Sequence, residues 1–408
     1  MAKGEKTSVI ALLGLTSGLY DRLDITEGLM PNIDAGGASR TPLSWACENG
    51  YLGIAKVLVE RHAQPPNTGG GGYSPLMLAS KNGHTDIVRW LFSRGTNINE
   101  RYKNESAIWL ATSNGHAETV EFLINVGADP DTYGVKDEPV LFLAAEKGHE
   151  KATKLLLERG ASAKAKNRRG ETPLHLAAEM ERSGAIMEAL LSYGAEIDAR
   201  DDRGRTPLTL ALMYASIDEI GFLIGQGADV TAQDEEDETC LHQVMKRGNA
   251  TLEIVRLLLE NGARADARSR SGQTCLHSFA RWGAVIPSTS DLIQLVTSHG
   301  TDLNANDNNG NTPLHLMTKY RHDYDLSTFV YLPGLDHNAR NHLGKTPLHV
   351  AALRRTLVPG VLAILIEKGA DINSLDNESR TPLDDAIEIG YKPAIQFLMY
   401  NGGKRGVE

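Results

Sequence analysis

The tripeptide Thr-Pro-Leu recurs along the chain at nearly constant spacing, and this repetition constrains the fold more than any other sequence feature. Identical copies begin at Thr41, Thr172, Thr206, Thr312, Thr346 and Thr381. Altered copies begin in the same phase at Ser74, Ser106, Glu138, Thr239 and Thr274. Ten steps over 340 residues separate the eleven copies, a mean period of 34. A period of this size indicates stacked supersecondary units, although the length of 408 residues alone would suggest two or three globular domains.

The first half of each repeat carries the signals of a short helix. Thr172 is a natural N-cap, and Pro173 takes the first helical position, where its missing N–H costs nothing. Apolar residues follow at helical spacing and share one face, namely Leu174, Ala177 and Ala178. The small alanines allow a neighbouring helix to approach closely. The pattern therefore predicts a helix that packs against its equivalents in the adjacent repeats.

The second half of each repeat predicts another helix, which is clearest at residues 252–259. Its apolar residues fall on one stripe, in which we place Ile254, Leu257 and Leu258. The helix should end at Gly262, because glycine readily adopts the left-handed conformation after a helix. A polar turn then leads to the next Thr-Pro-Leu. Each unit thus reads as helix, tight turn, helix and exposed turn.

The repeat resembles the ankyrin repeat. The sequence Thr-Pro-Leu-His-x-Ala-Ala stands at 172–178 and 346–352, Gly-His begins at Gly83, Gly115 and Gly148, and Gly-Ala-Asp begins at Gly127, Gly227 and Gly369. The resemblance implies an all-α, ankyrin-repeat α-solenoid of stacked helix-turn-helix units with protruding turn fingers. It also implies one long concave face that binds other proteins, without naming the partner.

The repeats also predict the domain organisation. We expect a degenerate N-terminal capping segment at 1–36, an array of about eleven repeats at 37–403 that is irregular in 283–340, and a polar tail at 404–408. The alternative interpretation of residues 1–36 is that they are the place where a longer parent chain was cut. In the last repeat, Asp384 and Asp385 fit the solvated outer face that a terminal repeat needs.

Composition excludes several functional classes. With 42 basic and 52 acidic residues, the formal net charge of −10 argues against a nucleic-acid binder. The apolar stretch at 9–15 is too short to span a bilayer and lacks the flanks of a secretory signal. The three cysteines, Cys47, Cys240 and Cys275, cannot form a disulfide framework. We therefore expect a monomer in the cytoplasm or, alternatively, the nucleus, with no membrane partner.

The histidines do not indicate catalysis. Eight of the thirteen occupy repeat positions, where we expect them to bond turns and neighbouring repeats: His175, His242, His277, His315 and His349 after Thr-Pro-Leu, and His84, His116 and His149 after glycine. No nucleophile elbow, Cys-His pair or nucleotide-binding fingerprint has its required context. We predict no enzyme activity, no cofactor and no metal. The alternative is an unusual enzyme with a site near repeats eight and nine, formed by His322, His337 and His342 with Asp323, Asp325 and Asp336.

The candidate binding residues follow the alanine pair of each first helix. In repeats seven to ten these positions form what we call the basic-aromatic row: Lys246, Arg247, Arg281, Trp282, Lys319, Tyr320, Arg354 and Arg355. Arg, Trp and Tyr are enriched at interface hot spots. On the first fingers, Tyr73 and Tyr102 extend the candidate contact residues. We predict that an acidic or phosphorylated protein or peptide binds this row.

Two interpretations of the protein's role in recognition stay open at the sequence level. The first is a protein–protein interaction scaffold without intrinsic catalysis, which binds its partner through the concave groove. The second is a sensor or substrate-recruiting module of a larger signalling or ligase assembly, whose effector is another chain.

Overall fold

A computed structural model of the chain describes residues 42–62, 72–134, 138–214, 216–246, 250–283, 289–320, 329–354 and 359–406. Helices come in pairs, one pair for each Thr-Pro-Leu repeat except the ninth, for which the structure describes only the first helix in full. In repeats one to five they are α1 (Pro42–Glu48), α2 (Leu52–His62), α3 (Pro75–Lys81), α4 (Thr85–Ser93), α5 (Ala107–Ser113), α6 (Ala117–Asn125), α7 (Val140–Glu146), α8 (Glu150–Glu158), α9 (Pro173–Ala178) and α10 (Gly184–Ser192). The expected N-terminal capping segment at 1–36 lies outside the described residues.

The pairs continue through the second half of the chain. Their helices are α11 (Pro207–Tyr214), α12 (Ile217–Gly225), α13 (Cys240–Lys246), α14 (Leu252–Glu260), α15 (Cys275–Trp282), α16 (Thr289–Ser298), α17 (Pro313–Tyr320), α18 (Pro347–Ala352), α19 (Pro359–Glu367), α20 (Pro382–Ile389) and α21 (Lys392–Tyr400). The region expected to be irregular, 283–340, is described only in part. None of the helices in the described part of the chain has the length and apolarity that a bilayer crossing requires.

The chain divides into two compact units. The first comprises residues 1–177 and 183–196, and the second comprises residues 178–182 and 197–408. Within each unit, first helices pack on first helices and second helices on second helices. In the first unit α1, α3, α5 and α7 lie side by side, as do α4, α6, α8 and α10. In the second unit the succession is α13, α15, α17, α18 and α20. The predicted stacking of helical units is confirmed.

The first helices are buried as the alanine pattern predicts. Leu174, Ala177 and Ala178 are fully buried. In α14 the buried face is rotated from the predicted stripe. Val255 and Leu258 are fully buried, whereas Leu257 is half-buried. The prediction of Leu257 as a core residue is therefore wrong, because the helix turns the i, i+3 pair Val255 and Leu258 towards its neighbours.

The fingers fold around an Asp or Asn side chain. In the ninth repeat, Asp307 Oδ1 accepts hydrogen bonds from the backbone amides of Asn309 at 2.9 Å and Asn311 at 2.8 Å. Such Asx turns satisfy the amides of a tight turn. The same arrangement recurs at Asn167, Asp201, Asp234, Asn341 and Asp376. Gly310 closes the ninth turn at φ +76°, and a Cβ there would meet the backbone nitrogen of His342 at 2.6 Å.

The third finger departs from this pattern and forms a small hairpin. Strands β1 (Arg101–Tyr102) and β2 (Glu105–Ser106) are antiparallel, with Arg101 opposite Ser106 and Tyr102 opposite Glu105. The two loop residues, Lys103 and Asn104, have φ of 49° and 66°, as a two-residue hairpin loop requires. Among the described residues, the hairpin is a local addition to the helical pairs, and the next finger adds a single antiparallel bridge between Tyr133 and Pro139.

In four repeats of the second unit, a histidine at the position after Thr-Pro-Leu connects the repeat to the next one. The Thr312 backbone amide donates to His315 Nδ1 at 3.1 Å, and His315 Nε2 lies 3.0 Å from the Lys345 carbonyl oxygen. Because Nδ1 accepts a proton donor and Nε2 faces an acceptor, this geometry requires the neutral ring protonated on Nε2. Equivalent bridges run from His242 to Gln273, from His277 to Asn311 and from His349 to Arg380.

Histidines after glycine connect each repeat to the preceding one. His84 Nε2 lies 3.0 Å from the Glu48 carbonyl oxygen, and His116 Nε2 lies 3.0 Å from that of Lys81. The glycine of the preceding repeat is needed there, because a Cβ on Gly50 would meet the His84 ring at 2.7 Å. The prediction that the repeat histidines bond turns and neighbouring repeats is confirmed at these positions.

The end of the array bonds its own tail. Lys404, expected in the polar tail, donates its backbone amide to Asn373 Oδ1 at 2.7 Å, and the Gly406 amide donates to Asp384 Oδ2 at 2.7 Å. Asp384 occupies the histidine position and also accepts from the Thr381 amide at 3.0 Å. The residues through Gly406 therefore continue the bonding pattern of the repeats.

The rotated face of α14 predicts unequal effects of charge at adjacent positions. We expect Leu258→Asp to destabilise the protein by about 3 kcal/mol or more, because it buries an unpaired carboxylate between repeats. Leu257→Asp should cost less, because its side chain reaches solvent. Urea denaturation followed by circular dichroism measures both, with Arg256→Asp as the exposed control. Equal losses for Leu257→Asp and Leu258→Asp would contradict the burial pattern.

The histidine bridges predict acid lability. Burial lowers the pKa of His242, His277 and His349, and it lowers the pKa of His315 to about 4. The unfolded chain then binds more protons than the folded chain below pH about 6.5. Stability should be fully present above that pH and decline as pH falls through the folded pKa values. The loss from His315 alone should approach about 3 kcal/mol below pH 4.

Urea midpoints measured between pH 7.5 and pH 4 test this dependence. His315→Gln should lower stability at pH 7.5 and flatten the profile, because it removes one titrating bridge. His299→Gln, an exposed control at the end of α16, should leave the profile unchanged. An unaltered slope in His315→Gln would show that this bridge does not contribute to acid lability.

Candidate partner-binding surface

The basic-aromatic row lies at the carboxyl ends of successive first helices. Lys246 ends α13, Trp282 ends α15 and Tyr320 ends α17, while Arg354 follows two residues after α18. Because these helices lie side by side in the second unit, their ends fall in sequence order along one surface. Two predicted members, Arg247 and Arg355, lie outside the described residues.

Arg281 and its aromatic neighbours form the centre of the row, and we call Arg281, Trp282, Lys319 and Tyr320 the Arg281 cluster. The guanidinium carbon of Arg281 lies 4.8 Å from the ring centre of Trp282 and 5.3 Å from that of Tyr320. Lys319 Nζ lies 5.2 Å from the Tyr320 ring centre. Trp282 is 58% exposed and Tyr320 is 41% exposed. These are cation–π distances, so the rings hold the guanidinium in place while remaining open to solvent.

Arg281 has unused hydrogen-bonding capacity. Its Nε is buried and has no hydrogen-bond partner in the described part of the chain. A buried donor without a partner costs free energy relative to a satisfied one. Among the described residues, the contacts that hold the Arg281 guanidinium are therefore those with the two rings.

The two ends of the row are engaged within the protein. Lys246 forms an ion pair and hydrogen bond with Glu238, and both side chains are partly buried. Arg354 Nη1 donates to the Thr318 carbonyl oxygen near the end of α17 at 3.1 Å. A cation at a helix carboxyl end is favourable, because the exposed carbonyls carry partial negative charge. These two residues contribute positive charge, but their positions are fixed by internal contacts.

The acidic finger before Thr239 is partly neutralised by its neighbours. Asp237 lies 3.6 Å and Glu236 lies 3.8 Å from the guanidinium of Arg270 on the next finger. Glu238 pairs with Lys246, and Asp234 accepts the amides of its own turn. The adjacent charges of opposite sign therefore complement each other within the protein.

Sequence reasoning missed Tyr214, which lies eight residues after Thr206 and is thus in phase with Trp282 and Tyr320. Tyr214 ends α11 and is 52% exposed. Counting eight residues from Thr206 identifies this position, but Tyr214 has no basic residue beside it in the sequence, unlike Trp282 and Tyr320. Tyr214 extends the exposed aromatic positions of the second unit to the sixth repeat.

Tyr73 and Tyr102 belong to the first unit and meet each other there. Their ring centres are 5.5 Å apart in an edge-to-face arrangement, and Lys103 Nζ lies 5.4 Å from the Tyr102 ring centre. The Tyr73 hydroxyl donates to Glu105, and burial together with this bond raises the pKa of Tyr73 to about 12. The pair braces the second and third fingers, and both rings remain half-exposed.

Comparison with known proteins establishes the family. The profile described as "Ankyrin repeats (3 copies)" matches residues 16–102, 99–167, 141–234, 212–288, 241–329 and 322–406. The chain belongs to the ankyrin repeat family. Ankyrin repeats are general protein–protein interaction modules and are typically non-catalytic. The predicted family and all-α solenoid class are confirmed.

Among solved structures, 535 chains match this ankyrin protein. One is the crystal structure of the human ASB11 ankyrin repeat domain, with 27% sequence identity and a TM-score of 0.49. The match covers 55% of this chain and 98% of that chain. No curated protein sequence matches the chain.

The possible enzyme site near repeats eight and nine is only partly described. His322, Asp323 and Asp325 lie outside the described residues. His337 Nε2 lies 3.0 Å from the Val330 carbonyl oxygen, and the His342 ring packs over Gly310. Within the described ranges, the one group of three metal-ligand side chains is elsewhere in the ankyrin array, at His349, Asp376 and Asp385.

That group surrounds a buried lysine. Lys345 Nζ lies 2.9 Å from Asp376 Oδ2 and 2.7 Å from Asp385 Oδ2, and all three side chains are buried. Burial raises the pKa of Asp376, but hydrogen bonds from Lys345 and two backbone amides outweigh it and lower that pKa to about 2. Both ring nitrogens of His349 are already bonded. The group is therefore better suited to hold the Lys345 ammonium than a metal ion.

This pairing corrects the expectation that the last repeat turns its aspartates to solvent. Asp385 is fully buried and Asp384 caps α20. The Arg380 guanidinium adds a second cation 3.4 Å from Asp385. The buried ion pairs hold the tenth and eleventh ankyrin repeats together.

The cysteines are free, buried thiols in this ankyrin array. Burial raises the pKa of Cys47 and Cys240 to about 12 and that of Cys275 to about 11. Thiols with these pKa values are protonated at neutral pH and are poor nucleophiles.

Removal of Lys345 should destabilise the last two ankyrin repeats. We expect Lys345→Met to cost about 3–5 kcal/mol, because it leaves two buried carboxylates without their shared cation. Adding Asp376→Asn and Asp385→Leu should recover most of this loss, since leucine occupies the equivalent position at Leu176 and Leu316. Urea denaturation measures the effect, with the exposed Lys392→Met as control. If Lys345→Met is as stable as Lys392→Met, these ion pairs do not stabilise the packing of the last two repeats.

Proposed function

We propose that this ankyrin protein is a scaffold that binds an acidic or phosphorylated segment of a partner protein through the basic-aromatic row, without catalysis. The observation that supports the proposal most directly is the Arg281 cluster. Its guanidinium lies within cation–π distance of two exposed rings and forms no ion pair in the described structure. Arg, Trp and Tyr in this arrangement are the residue types that dominate binding free energy at protein interfaces.

Charge supports the location of the site. The whole chain carries a formal net charge of −10, yet the Arg281 cluster brings Arg281 and Lys319 to one aromatic ring. A group of positive charges on a surface attracts a negatively charged segment of a partner. This attraction accelerates association of the two proteins and fixes their relative orientation. Tyr73 and Tyr102 form a second candidate contact, which we retain as part of the proposal.

The proposal includes a monomer that acts in the cytoplasm or nucleus. Three free, buried thiols fit a reducing compartment, where structural disulfides are rare. The second interpretation, a substrate-recruiting module of a larger signalling or ligase assembly, would use the same surface. The identity of the captured partner distinguishes the two roles. We also retain residues 1–36 as a proposed cap of the array.

Affinity purification with mass spectrometry tests the proposed surface. The triple variant Arg281→Glu, Lys319→Glu and Trp282→Ala should lose the specific partner, with at least a tenfold loss of affinity when binding is measured directly. The matched control is Arg256→Glu, Lys392→Glu and Tyr400→Ala, which changes the charge equally and removes one exposed ring from second helices. Circular dichroism and melting temperature verify the fold of both variants.

The outcomes separate clearly. Loss of a partner from the triple variant alone supports the basic-aromatic row as the binding site. If that partner is retained equally by all three baits, the row is not the binding surface, and Tyr73 and Tyr102 become the next positions to change.

A further inference from the structure

Two cations lie close to the Tyr320 ring and have no acidic partner among the residues that the structure describes. Arg281 and Lys319 both lie within 5.3 Å of the centre of this ring. In the described part of the chain neither forms an ion pair, whereas the neighbouring cations Lys246 and Arg270 each pair with a carboxylate of the acidic finger. Within the described residues, the positive charge of the Arg281 cluster is therefore uncompensated.

The rings determine which part of Arg281 a ligand can use. Trp282 and Tyr320 lie within cation–π distance of its guanidinium. A stacked guanidinium still presents N–H donors in its plane, where they match two oxygens of one oxyanion. The Arg281 guanidinium forms no ion pair with the described residues, and because its Nε is buried, its Nη donors are the ones that a ligand would use.

The amount of charge favours a phosphate group over a carboxylate. A carboxylate carries one negative charge and would compensate either Arg281 or Lys319. A phosphate monoester carries about −1.5 to −2 at neutral pH and offers three acceptor oxygens. One phosphate could therefore bond the guanidinium through two oxygens and compensate the nearby ammonium through its remaining charge.

We infer that the Arg281 cluster is a receptor for a phosphorylated side chain of the partner protein. The inference rests on the proposed function and specifies the chemistry that the same surface recognises. Arg281 binds the phosphate oxygens, Lys319 supplies the second positive charge, and the exposed Trp282 ring contacts the residue beside the phosphorylated one. A partner that is not phosphorylated would leave one cation uncompensated and would bind more weakly.

Fluorescence anisotropy with degenerate peptide pools tests the inference on the full chain. Each labelled pool has a fixed central residue, which is phosphoserine, phosphotyrosine, serine or glutamate, between random flanks. We expect one or both phosphorylated pools to bind at least tenfold more tightly than the serine and glutamate pools. Inorganic phosphate should compete with this binding. The difference between phosphoserine and phosphotyrosine identifies which side chain the partner supplies.

Variants of the two cations connect this preference to the cluster. Arg281→Gln with Lys319→Gln should abolish the preference for phosphate, whereas Arg256→Gln with Lys392→Gln should retain it. The melting temperatures of both double variants control for folding. Arg281→Lys should retain part of the affinity, because charge remains while the two-oxygen geometry is lost.

Several results would overturn the inference. Equal binding of the glutamate and phosphorylated pools would show a general acid receptor and leave the proposed function intact. A phosphate preference that survives Arg281→Gln with Lys319→Gln would place the receptor elsewhere. Absence of any phosphate preference, while the protein partner still depends on the row, would remove this inference alone. Only a partner insensitive to the whole row would remove the proposed function as well.

Discussion

Hydrogen bonds from a histidine to a backbone carbonyl of the adjacent repeat are the interactions on which the stacking of the histidine-bearing ankyrin repeats depends. His315 accepts the Thr312 amide at its own helix start and reaches the Lys345 carbonyl of the following repeat. A single buried ring therefore fixes both the start of a helix and the position of the adjacent finger. Because no repeat can bury its apolar face alone, stability resides in such contacts between neighbours. His84 and His116 make the corresponding bond towards the preceding repeat.

Those features that depend on local sequence could be predicted. The threonine cap, the proline at the first helical position and the glycine after the second helix are all set by backbone conformation, so their spacing indicates the fold directly. The burial of Ala177 followed from the same periodicity. The distinction between Leu257 and Leu258 did not follow, because both lie on an apolar stripe whose rotation is decided by packing against α16.

The pairing of charges could not be predicted, because it depends on stacking. Asp385 comes forty residues after Lys345 in the chain, and only the docking of α20 beside α18 brings the two together. The aspartates therefore looked like a solvated cap. The pairing of Lys246 was likewise not indicated by the sequence. In the folded chain, Glu238 of the preceding finger forms an ion pair with it. Surface positions at the ends of the first helices could be predicted by counting from the threonine of each repeat. Tyr214 occupies such a position but has no basic residue next to it in the sequence, so it did not belong to the predicted row.

Lys345 and Arg281 show how the same array separates folding from recognition. A buried cation must be paired for the chain to fold, and Lys345 has two carboxylates within 3 Å. Arg281 lies in the last turn of α15, and it has no carboxylate partner among the described residues. In the described part of the chain its neighbours include two aromatic rings, one of them 58% exposed, and a second cation lies 5.2 Å from the Tyr320 ring centre. Such a group is stable in the free protein and gains most when an anion arrives, which is the property that a recognition site requires.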